Sequence, residues 1–273
     1  MLTHYVYYLS DSTGITVESL GRSVLAQFSG INFLEKTMSF VDSKKRAIAA
    51  AEEISASAKA HPERRPIVFY TFADESFASI IEQSGALTMD CLDTFIRPLA
   101  KELGREPSHA TGTRLDEKRA RDYQRRIDAL NYTMNHDDGI SMHRYAEADI
   151  ILIGVSRSGK TPTSLYLALH YGVFAANYPL VDEDLTNTRL PEKLTAYSDK
   201  LYGLTIAPQR LTQIRGERRP NSRYAELDKC RQEVGTALRL FDENNIRYLD
   251  VTRQSVEELA SKILYDAKLP RYL

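Results

Sequence analysis

Residues 154–161 carry the clearest chemical signal in the chain, because they match the phosphate-binding pattern GxxxxGK(S/T) in full. A glycine-rich turn that leads into a helix points several backbone N–H groups inward, where they can surround phosphate oxygens in the positive field of the helix N-terminus. The pattern assigns Lys160 to the terminal phosphates of a nucleotide and the Thr161 hydroxyl to a Mg²⁺ ion. The predicted nucleotide-binding residues are Gly154, Val155, Ser156, Arg157, Ser158, Gly159, Lys160 and Thr161.

The sequence around this motif favours a binding loop over an ordinary tight turn with a solvated lysine. Residues 149–153 form an apolar run that is typical of a buried strand, and residues 161–164 open a helix. Pro162 is acceptable there, since a proline in the first turn lacks only an amide hydrogen that has no intrahelical partner. A strand, a loop and a helix in this order are the context in which the pattern binds phosphate.

Two adjacent aspartates, Asp137 and Asp138, end a helix-like segment and stand beside His136. A carboxylate near the phosphate loop could accept the proton of an attacking hydroxyl or serve as a second metal ligand. The dipeptide Asp138-Gly139 is also a routine helix stop, because glycine readily takes the left-handed conformation. The residues alone leave both interpretations open.

A second candidate site follows the first apolar run, residues 5–9, where a turn contains hydroxyls, a carboxylate and a glycine. Such a turn could bind a phosphate, hold a metal or receive a substrate side chain. The alternative is ordinary N-capping of the next helix by Ser12 or Thr13. Because ligands bind beyond the carboxyl ends of parallel strands, we favour a second anion or substrate site. Its candidate residues are Asp11, Ser12, Thr13 and Gly14.

Five arginines cluster between residues 210 and 223. A charge run of this kind is usually a solvated helix face. Arginine binds phosphate oxygens with a planar fork, so a mobile lid or a docking surface for a partner is the alternative. Arg157 is better placed than these five, since it lies in the loop itself. No single aspartate stands out as the metal-holding residue, and Asp182, which follows an apolar run, is a candidate.

Short apolar runs alternate with longer segments of helical period, and these elements must position the candidate residues. Strands are predicted at residues 5–9, 37–41, 67–72, 149–153, 174–179, 201–206 and 247–251. Helices are predicted at residues 16–27, 44–59, 75–84, 91–103, 117–134, 163–171, 223–243 and 255–267. The alternation predicts an α/β fold in which parallel sheets are flanked by helices.

A polar stretch at residues 104–121 predicts a boundary, because it is rich in charge and contains few large apolar side chains. We therefore expect three parts. These are an N-terminal α/β domain at residues 1–105, a polar connector and helix at 106–145, and a P-loop kinase-like nucleotide-binding domain at 146–273.

Composition restricts the class of protein. The chain has 273 residues, 42% hydrophobic and 27% charged, which is enough to bury a core. Its formal net charge of -1 provides no overall attraction for nucleic acid or an acidic membrane. No apolar run approaches the ~20 residues that span a bilayer, and the start lacks a secretion signal. Two cysteines without a metal-binding pattern indicate no disulfide framework. We expect a cytoplasmic protein that binds neither nucleic acid nor membranes.

Five blocks of sequence together resemble one family, the bacterial phosphoenolpyruvate synthase regulatory proteins. The blocks are residues 10–14, 136–141, 154–168, 176–179 and 221–224. They keep the order and approximate spacing of that family over nearly the whole chain. The related pyruvate, phosphate dikinase regulatory proteins look similar but usually have a serine where this chain has Gly159. The identities of Gly159, His136 and Thr163 favour the synthase branch.

The resemblance implies a bifunctional regulator of phosphoenolpyruvate synthase. Members use ADP to phosphorylate a threonine of the synthase, which inactivates it and releases AMP. They reactivate it by phosphorolysis, in which inorganic phosphate takes the phosphoryl group and pyrophosphate leaves. A homodimer is also implied by the resemblance.

For this chain we hypothesise that Lys160 and the loop amides stabilise the charge on the transferred β-phosphoryl group, with help from Arg157. Asp137 or Asp138 would accept the proton of the target threonine. Three alternatives remain open at this point. They are the same chemistry on pyruvate, phosphate dikinase, an ATP-dependent small-molecule kinase, and a nucleotide-sensing protein without catalysis.

Overall fold

The computed structural model describes residues 2–107, 117–137, 143–220 and 222–272. By its internal contacts the chain divides into two compact units, residues 1–114 and 115–273. Among the described residues, each unit has one four-stranded sheet in which the paired strands are parallel. The predicted α/β class, with parallel sheets flanked by helices, is confirmed.

In its described residues, the first unit contains four strands and four helices that alternate along the chain. The strands are β1 (Leu2–Ser10), β2 (Ile31–Met38), β3 (Ile67–Thr71) and β4 (Leu87–Asp90). The helices are α1 (Ile15–Leu25), α2 (Lys44–Ala60), α3 (Glu75–Glu82) and α4 (Asp93–Leu103). The strands lie in the order β2-β1-β3-β4.

The central strand β1 is buried on both of its faces. Tyr7 and Leu9 pack with Ile54 of α2, whereas Val6 and Tyr8 pack with residues of α1 on the opposite side. Successive side chains of a strand point to opposite faces of the sheet, so an uninterrupted apolar run requires cover on both sides. Helices on the two faces of the sheet provide this cover.

The second unit has the same alternating organisation with more helices. Its strands are β5 (Ile150–Val155), β6 (Ala175–Leu180), β7 (Leu201–Thr205) and β8 (Tyr248–Asp250). Its helices are α5 (Glu117–Asn135), α6 (Lys160–Tyr171), α7 (Glu192–Thr195), α8 (Pro208–Arg218), α9 (Leu227–Glu243) and α10 (Val256–Asp266). The strands lie in the order β6-β5-β7-β8, and 3₁₀ turns occur at Tyr145–Glu147, Ser198–Lys200 and Arg223–Ala225.

Every residue of β5 is buried. Ile151 and Ile153 belong to a core cluster with Phe241 of α9, and Leu152 belongs to a second cluster with Leu167 of α6. Each fully buried side chain of this size stabilises the fold by roughly 1.5–3 kcal/mol relative to exposure. The strand that leads into the phosphate-binding motif is therefore held rigidly from both sides.

The two sheets share one topology, although the sequence shows no internal repeat. In each unit the first strand lies between the second and the third, which makes its carboxyl end a topological switch point. Each first strand also leads to a helix whose N-cap is a left-handed glycine, Gly14 before α1 and Gly159 before α6. Ligand sites in open α/β sheets form at such switch points.

Several elements differ from the predictions, and in each case the local pattern is weak; the short helix α7 (Glu192–Thr195) is also absent from the predicted helices. Strand β2 covers Ile31–Met38 rather than residues 37–41, because an edge strand with mostly exposed side chains has no apolar run. The short edge strand β4 was not predicted, for the same reason. Helix α8 was also missed, since it is polar and begins at Pro208. The single helix predicted at residues 223–243 is a 3₁₀ turn followed by α9.

Candidate functional site

The phosphate-binding motif spans the end of β5 and the start of α6. Its first residue must be glycine, because a Cβ at Gly154 would lie 2.4 Å from the Leu204 carbonyl oxygen and 2.7 Å from Ser158 Oγ. The backbone of β7 therefore approaches the loop too closely for any side chain at this position. The strand, loop and helix expected around the motif are all present.

Two residues of the loop have left-handed backbone conformations, Arg157 with a φ of 73° and Gly159 with a φ of 82°. Glycine adopts this region without steric cost, whereas another residue there stores of order 1–3 kcal/mol of strain. The Arg157 side chain is exposed. The strained backbone of Arg157 indicates that surrounding contacts hold the loop in this shape.

Lys160 is buried, with 4% of its surface exposed, and its ammonium group stays inside the loop. Nζ donates hydrogen bonds to the carbonyl oxygens of Gly154 at 3.1 Å and Val155 at 3.0 Å. The lysine thus connects the end of the loop to its beginning and concentrates positive charge there. Ser158 Oγ is also buried and has no hydrogen-bond partner among the described residues. A phosphate oxygen could satisfy this hydroxyl, which would otherwise carry a desolvation cost.

Asp137 lies next to the loop in space. Thr161 Oγ1 donates a hydrogen bond to Asp137 Oδ1 at 2.9 Å. The side-chain amide of Asn177 donates a short hydrogen bond to the same carboxylate oxygen. Asp138, the other predicted base, falls outside the described residues. A carboxylate and a threonine hydroxyl in contact at the start of α6 provide the hard oxygen ligands that Mg²⁺ prefers.

Asn177 is a residue of the site that the sequence did not predict, and it is held in place on both sides. It is fully buried in β6, its backbone N–H donates to the His136 carbonyl at 3.2 Å, and its own carbonyl accepts from the Tyr145 hydroxyl at 3.0 Å. Burial raises the pKa of Tyr145 to about 12, so this phenol is a neutral donor at physiological pH. A polar residue inside an apolar strand was the available signal, because buried polar groups need partners.

His136 has a structural role. Its ring is buried and stacks on Tyr132 with centroids 4.1 Å apart, and Nδ1 donates to the Tyr132 carbonyl at 2.6 Å. The histidine therefore anchors the end of α5, from which Asp137 projects toward the loop. The adjacency of His136 and Asp137 in sequence does not make them an acid–base pair.

Asp182 is exposed, and its Oδ1 accepts a hydrogen bond from Lys229 Nζ at 2.6 Å. Its assignment as a metal ligand stays a prediction. Within the described ranges, no group of three or more His, Cys, Asp or Glu side chains could hold a metal ion. A metal at the loop would therefore take further ligands from phosphate oxygens or water, as Mg²⁺ commonly does.

A comparison with protein-family models matches residues 6–264 to the kinase/pyrophosphorylase family. The chain belongs to this family. The match includes both compact units, so the N-terminal unit is part of the family's common architecture. The family's name describes transfer of phosphoryl groups, and the chain is accordingly a transferase.

Curated relatives of the family are similar to the chain over nearly its full length. A protein of Stenotrophomonas maltophilia is 49% identical over 268 residues, covering 98% of this chain and 97% of the relative. A protein of Xanthomonas oryzae pv. oryzae is 48% identical over 266 residues, covering 97% of each. One of Azoarcus sp. is 48% identical, covering 97% of this chain and 96% of the relative. All three are provisionally named phosphoenolpyruvate synthase regulatory protein.

The turn after β1 also lies in the region matched to the family. Asp11 Oδ2 accepts a hydrogen bond from the Ala73 backbone N–H at 2.9 Å, which connects this turn to the end of β3. The N-cap of α1 is Gly14, and no side chain caps the helix, so capping by Ser12 or Thr13 is not observed. The turn lines a cavity of about 1120 Å³. Anion or substrate binding by residues 11–14 stays a prediction.

The arginine cluster separates into exposed and buried members. Four of the five are exposed, namely Arg210, Arg218, Arg219 and Arg223. Arg215 is fully buried and contacts the phosphate-binding motif through its guanidinium group. Asn221 lies outside the described residues.

None of the helices in the described part of the chain combines the length and the apolar character needed to cross a membrane.

Proposed function

We propose that the chain is a bifunctional regulator of phosphoenolpyruvate synthase. In one direction it transfers the β-phosphoryl group of ADP to a threonine hydroxyl of the synthase and releases AMP. In the other, inorganic phosphate attacks the phosphothreonine, the threonine hydroxyl is restored and pyrophosphate leaves. Membership of the kinase/pyrophosphorylase family and the names of the relatives support this pair of reactions.

The observation that carries the proposal is the contact between Asp137 and Thr161. It places a carboxylate at the first turn of α6, beside the loop whose amides and Lys160 would bind the two phosphates of ADP. The same loop could bind phosphate or pyrophosphate in the reverse reaction. One anion site can therefore serve both directions, because the transferred phosphoryl group carries similar charge in the transition state of each reaction.

Each residue of the site has a distinct role in this proposal. The loop amides and Lys160 stabilise the charge on the transferred group, and Arg157 assists from the exposed side of the loop. Thr161 would hold Mg²⁺, which neutralises phosphate charge when it is bound. A free oxygen of the Asp137 or Asp138 carboxylate would accept the proton of the target threonine.

The decisive experiment uses ADP labelled in its β-phosphate. The chain is incubated with the label and phosphoenolpyruvate synthase, and in parallel with pyruvate, phosphate dikinase. We expect label on a threonine of the synthase alone, and release of labelled pyrophosphate when phosphate is added afterwards. Label on the dikinase alone would redirect the proposal to that target. ATP consumption with a metabolite and no labelled protein would replace it with a small-molecule kinase.

A further inference from the structure

Arg215 is the largest fully buried side chain among the described residues, with 0% of its surface exposed. It belongs to α8 and forms an ion pair with Glu233 of α9, in which Nη2 donates to Oε2 at 2.7 Å. Nη1 donates to the Tyr224 carbonyl at 3.0 Å, and the guanidinium lies over the Tyr224 ring at 4.1 Å. A buried charge with this many partners is fixed in one orientation.

The remaining donors of Arg215 reach the phosphate-binding motif. Nη2 and Nε both donate to the carbonyl oxygen of Ser156, at 3.1 Å and 3.4 Å. Ser156 Oγ forms a second link to the same region, a hydrogen bond of 2.7 Å with the Tyr224 hydroxyl. Both the backbone and the side chain of Ser156 are therefore held from outside the loop.

The orientation of this carbonyl determines the direction of the next N–H group. A trans peptide is planar, so the Ser156 carbonyl and the Arg157 N–H point in opposite directions. Because the carbonyl points to Arg215, the Arg157 N–H points away from it. The same peptide precedes the strained backbone of Arg157, whose φ is 73°. A fixed carbonyl opposes relaxation of this residue to a more common conformation.

We propose that Arg215 is a positioning residue for anion binding by the loop. Its guanidinium has 0% of its surface exposed and is bonded to protein groups, and it acts by fixing the Ser156–Arg157 peptide so that the Arg157 N–H remains available to a bound phosphate. Anion affinity then depends on a side chain that lies 58 to 59 positions beyond the residues it orients. This inference rests on the anion binding by the loop that the proposed function includes, and not on the transfer of a phosphoryl group.

The test is calorimetric titration of inorganic pyrophosphate, in the presence of Mg²⁺, into wild type, Arg215→Lys and Arg125→Lys. Arg125 is a suitable control because it donates to the Gly172 carbonyl at 3.0 Å and pairs with Asp149 at 3.1 Å, in the same unit but without contact to the loop. Lysine keeps the charge at each position but cannot reproduce the two donors of the planar fork. Thermal unfolding of each variant gives the folded fraction at the titration temperature.

After correction for the folded fraction, we expect Arg215→Lys to weaken pyrophosphate binding by about tenfold or more. Loss of the hydrogen bond from the Arg157 N–H to a charged phosphate oxygen would have an effect of this size. Arg125→Lys should bind like wild type after the same correction, although it also unfolds at a lower temperature. Wild-type affinity in folded Arg215→Lys, or an equal loss in both variants, would overturn the proposal. Absence of pyrophosphate binding by wild type would overturn it as well.

Glu233→Gln covers the case in which Arg215→Lys does not fold. It leaves the guanidinium in place but removes the charge that anchors it, so we expect a smaller loss of pyrophosphate affinity in the folded protein. Unchanged affinity in Glu233→Gln would then contradict the proposal. If wild type binds pyrophosphate but transfers no phosphoryl group from ADP, the proposed function fails while the role of Arg215 is still decided by the titration.

Discussion

The Thr161 hydroxyl donates a hydrogen bond of 2.9 Å to the Asp137 carboxylate, although the two residues are 24 positions apart in the chain. The contact joins the end of α5 to the start of α6. It places an acidic group beside the loop that would bind the phosphates of the donor nucleotide. The chemistry proposed for this family member depends on that proximity.

Replacing Asp137 with asparagine should slow threonine phosphorylation by about 10²–10⁴-fold, because the neutral amide cannot accept the proton of the hydroxyl. Phosphorolysis should be less affected by the loss of a base, since a phosphate ion is already a nucleophile. The two half-reactions are measured separately with labelled ADP and with phosphorylated synthase. Asp128→Asn is the control, because Asp128 is exposed on the same helix and contacts Gln124. Unchanged phosphorylation by Asp137→Asn would show that Asp137 is not the base.

Lys160→Ala should depress both half-reactions, because the lysine stabilises a charge that both directions develop. Loss of one such group typically costs about 10²–10³-fold in kcat. Initial rates with saturating ADP, and with saturating phosphate in the reverse direction, check this expectation. Lys262→Ala provides the comparison, since Lys262 lies on α10 and donates to Gln254. A variant at position 160 that loses only one direction would argue against a shared anion site.

Alanine substitutions at three glycines should change stability in a fixed order. Gly154→Ala should be the most destabilising, by about 3 kcal/mol or more, because its Cβ would overlap the Leu204 carbonyl. Gly159→Ala should cost about 1–2 kcal/mol, since the space is open but φ is left-handed. Gly216→Ala should stabilise the protein by about 0.5–1 kcal/mol, because nothing lies within 4 Å and the position is helical. Urea unfolding of the three variants measures the order, and an equal effect at positions 154 and 159 would contradict it.

Cys91 should react slowly with thiol reagents in the native protein. Burial, reinforced by the nearby Asp90 carboxylate, raises the pKa of the Cys91 thiol to about 11. The raised pKa means that the folded protein favours the neutral thiol. The contribution of Cys91 to stability is therefore fully present below the pKa of the unfolded chain, near 9.0, and is lost as the pH rises through about 11. Iodoacetamide labelling at pH 8, followed by peptide mapping, should show much faster modification in urea than in buffer. Equal rates in the two solvents would refute the expectation.

Elements with a clear local pattern of apolar, glycine and proline residues can be predicted from the sequence. The buried strand β5, the loop and helix α6 follow from an apolar run, glycines and an acceptable proline. The edge strand β2 was misplaced because its exposed side chains carry no apolar pattern. The division of the chain at residues 105 and 145 remains a prediction. Helix α5, which lies in the predicted connector, ends beside Asp137 of the candidate site.

The partners within the site could not be predicted from the sequence in the same way. Asp137 was a candidate, but its contact with Thr161 depends on how α5 packs against α6. Asn177 and Arg215 were missed as parts of the site because each acts through residues that are distant in sequence. The burial of one arginine among four exposed ones is a property of tertiary packing, and no periodicity in a charge run reveals it.

The two sheets share one topology, and the turns after their first strands are similar in backbone but differ in the side chain that follows. Both first strands deliver the chain to a helix through a glycine with nearly the same φ, 80° at Gly14 and 82° at Gly159. The next residue is a buried lysine in one unit and Ile15, 68% exposed, in the other. The two units thus share a turn of similar backbone geometry between their first strand and the next helix. The residue after the glycine supplies a positive charge only in the turn before α6.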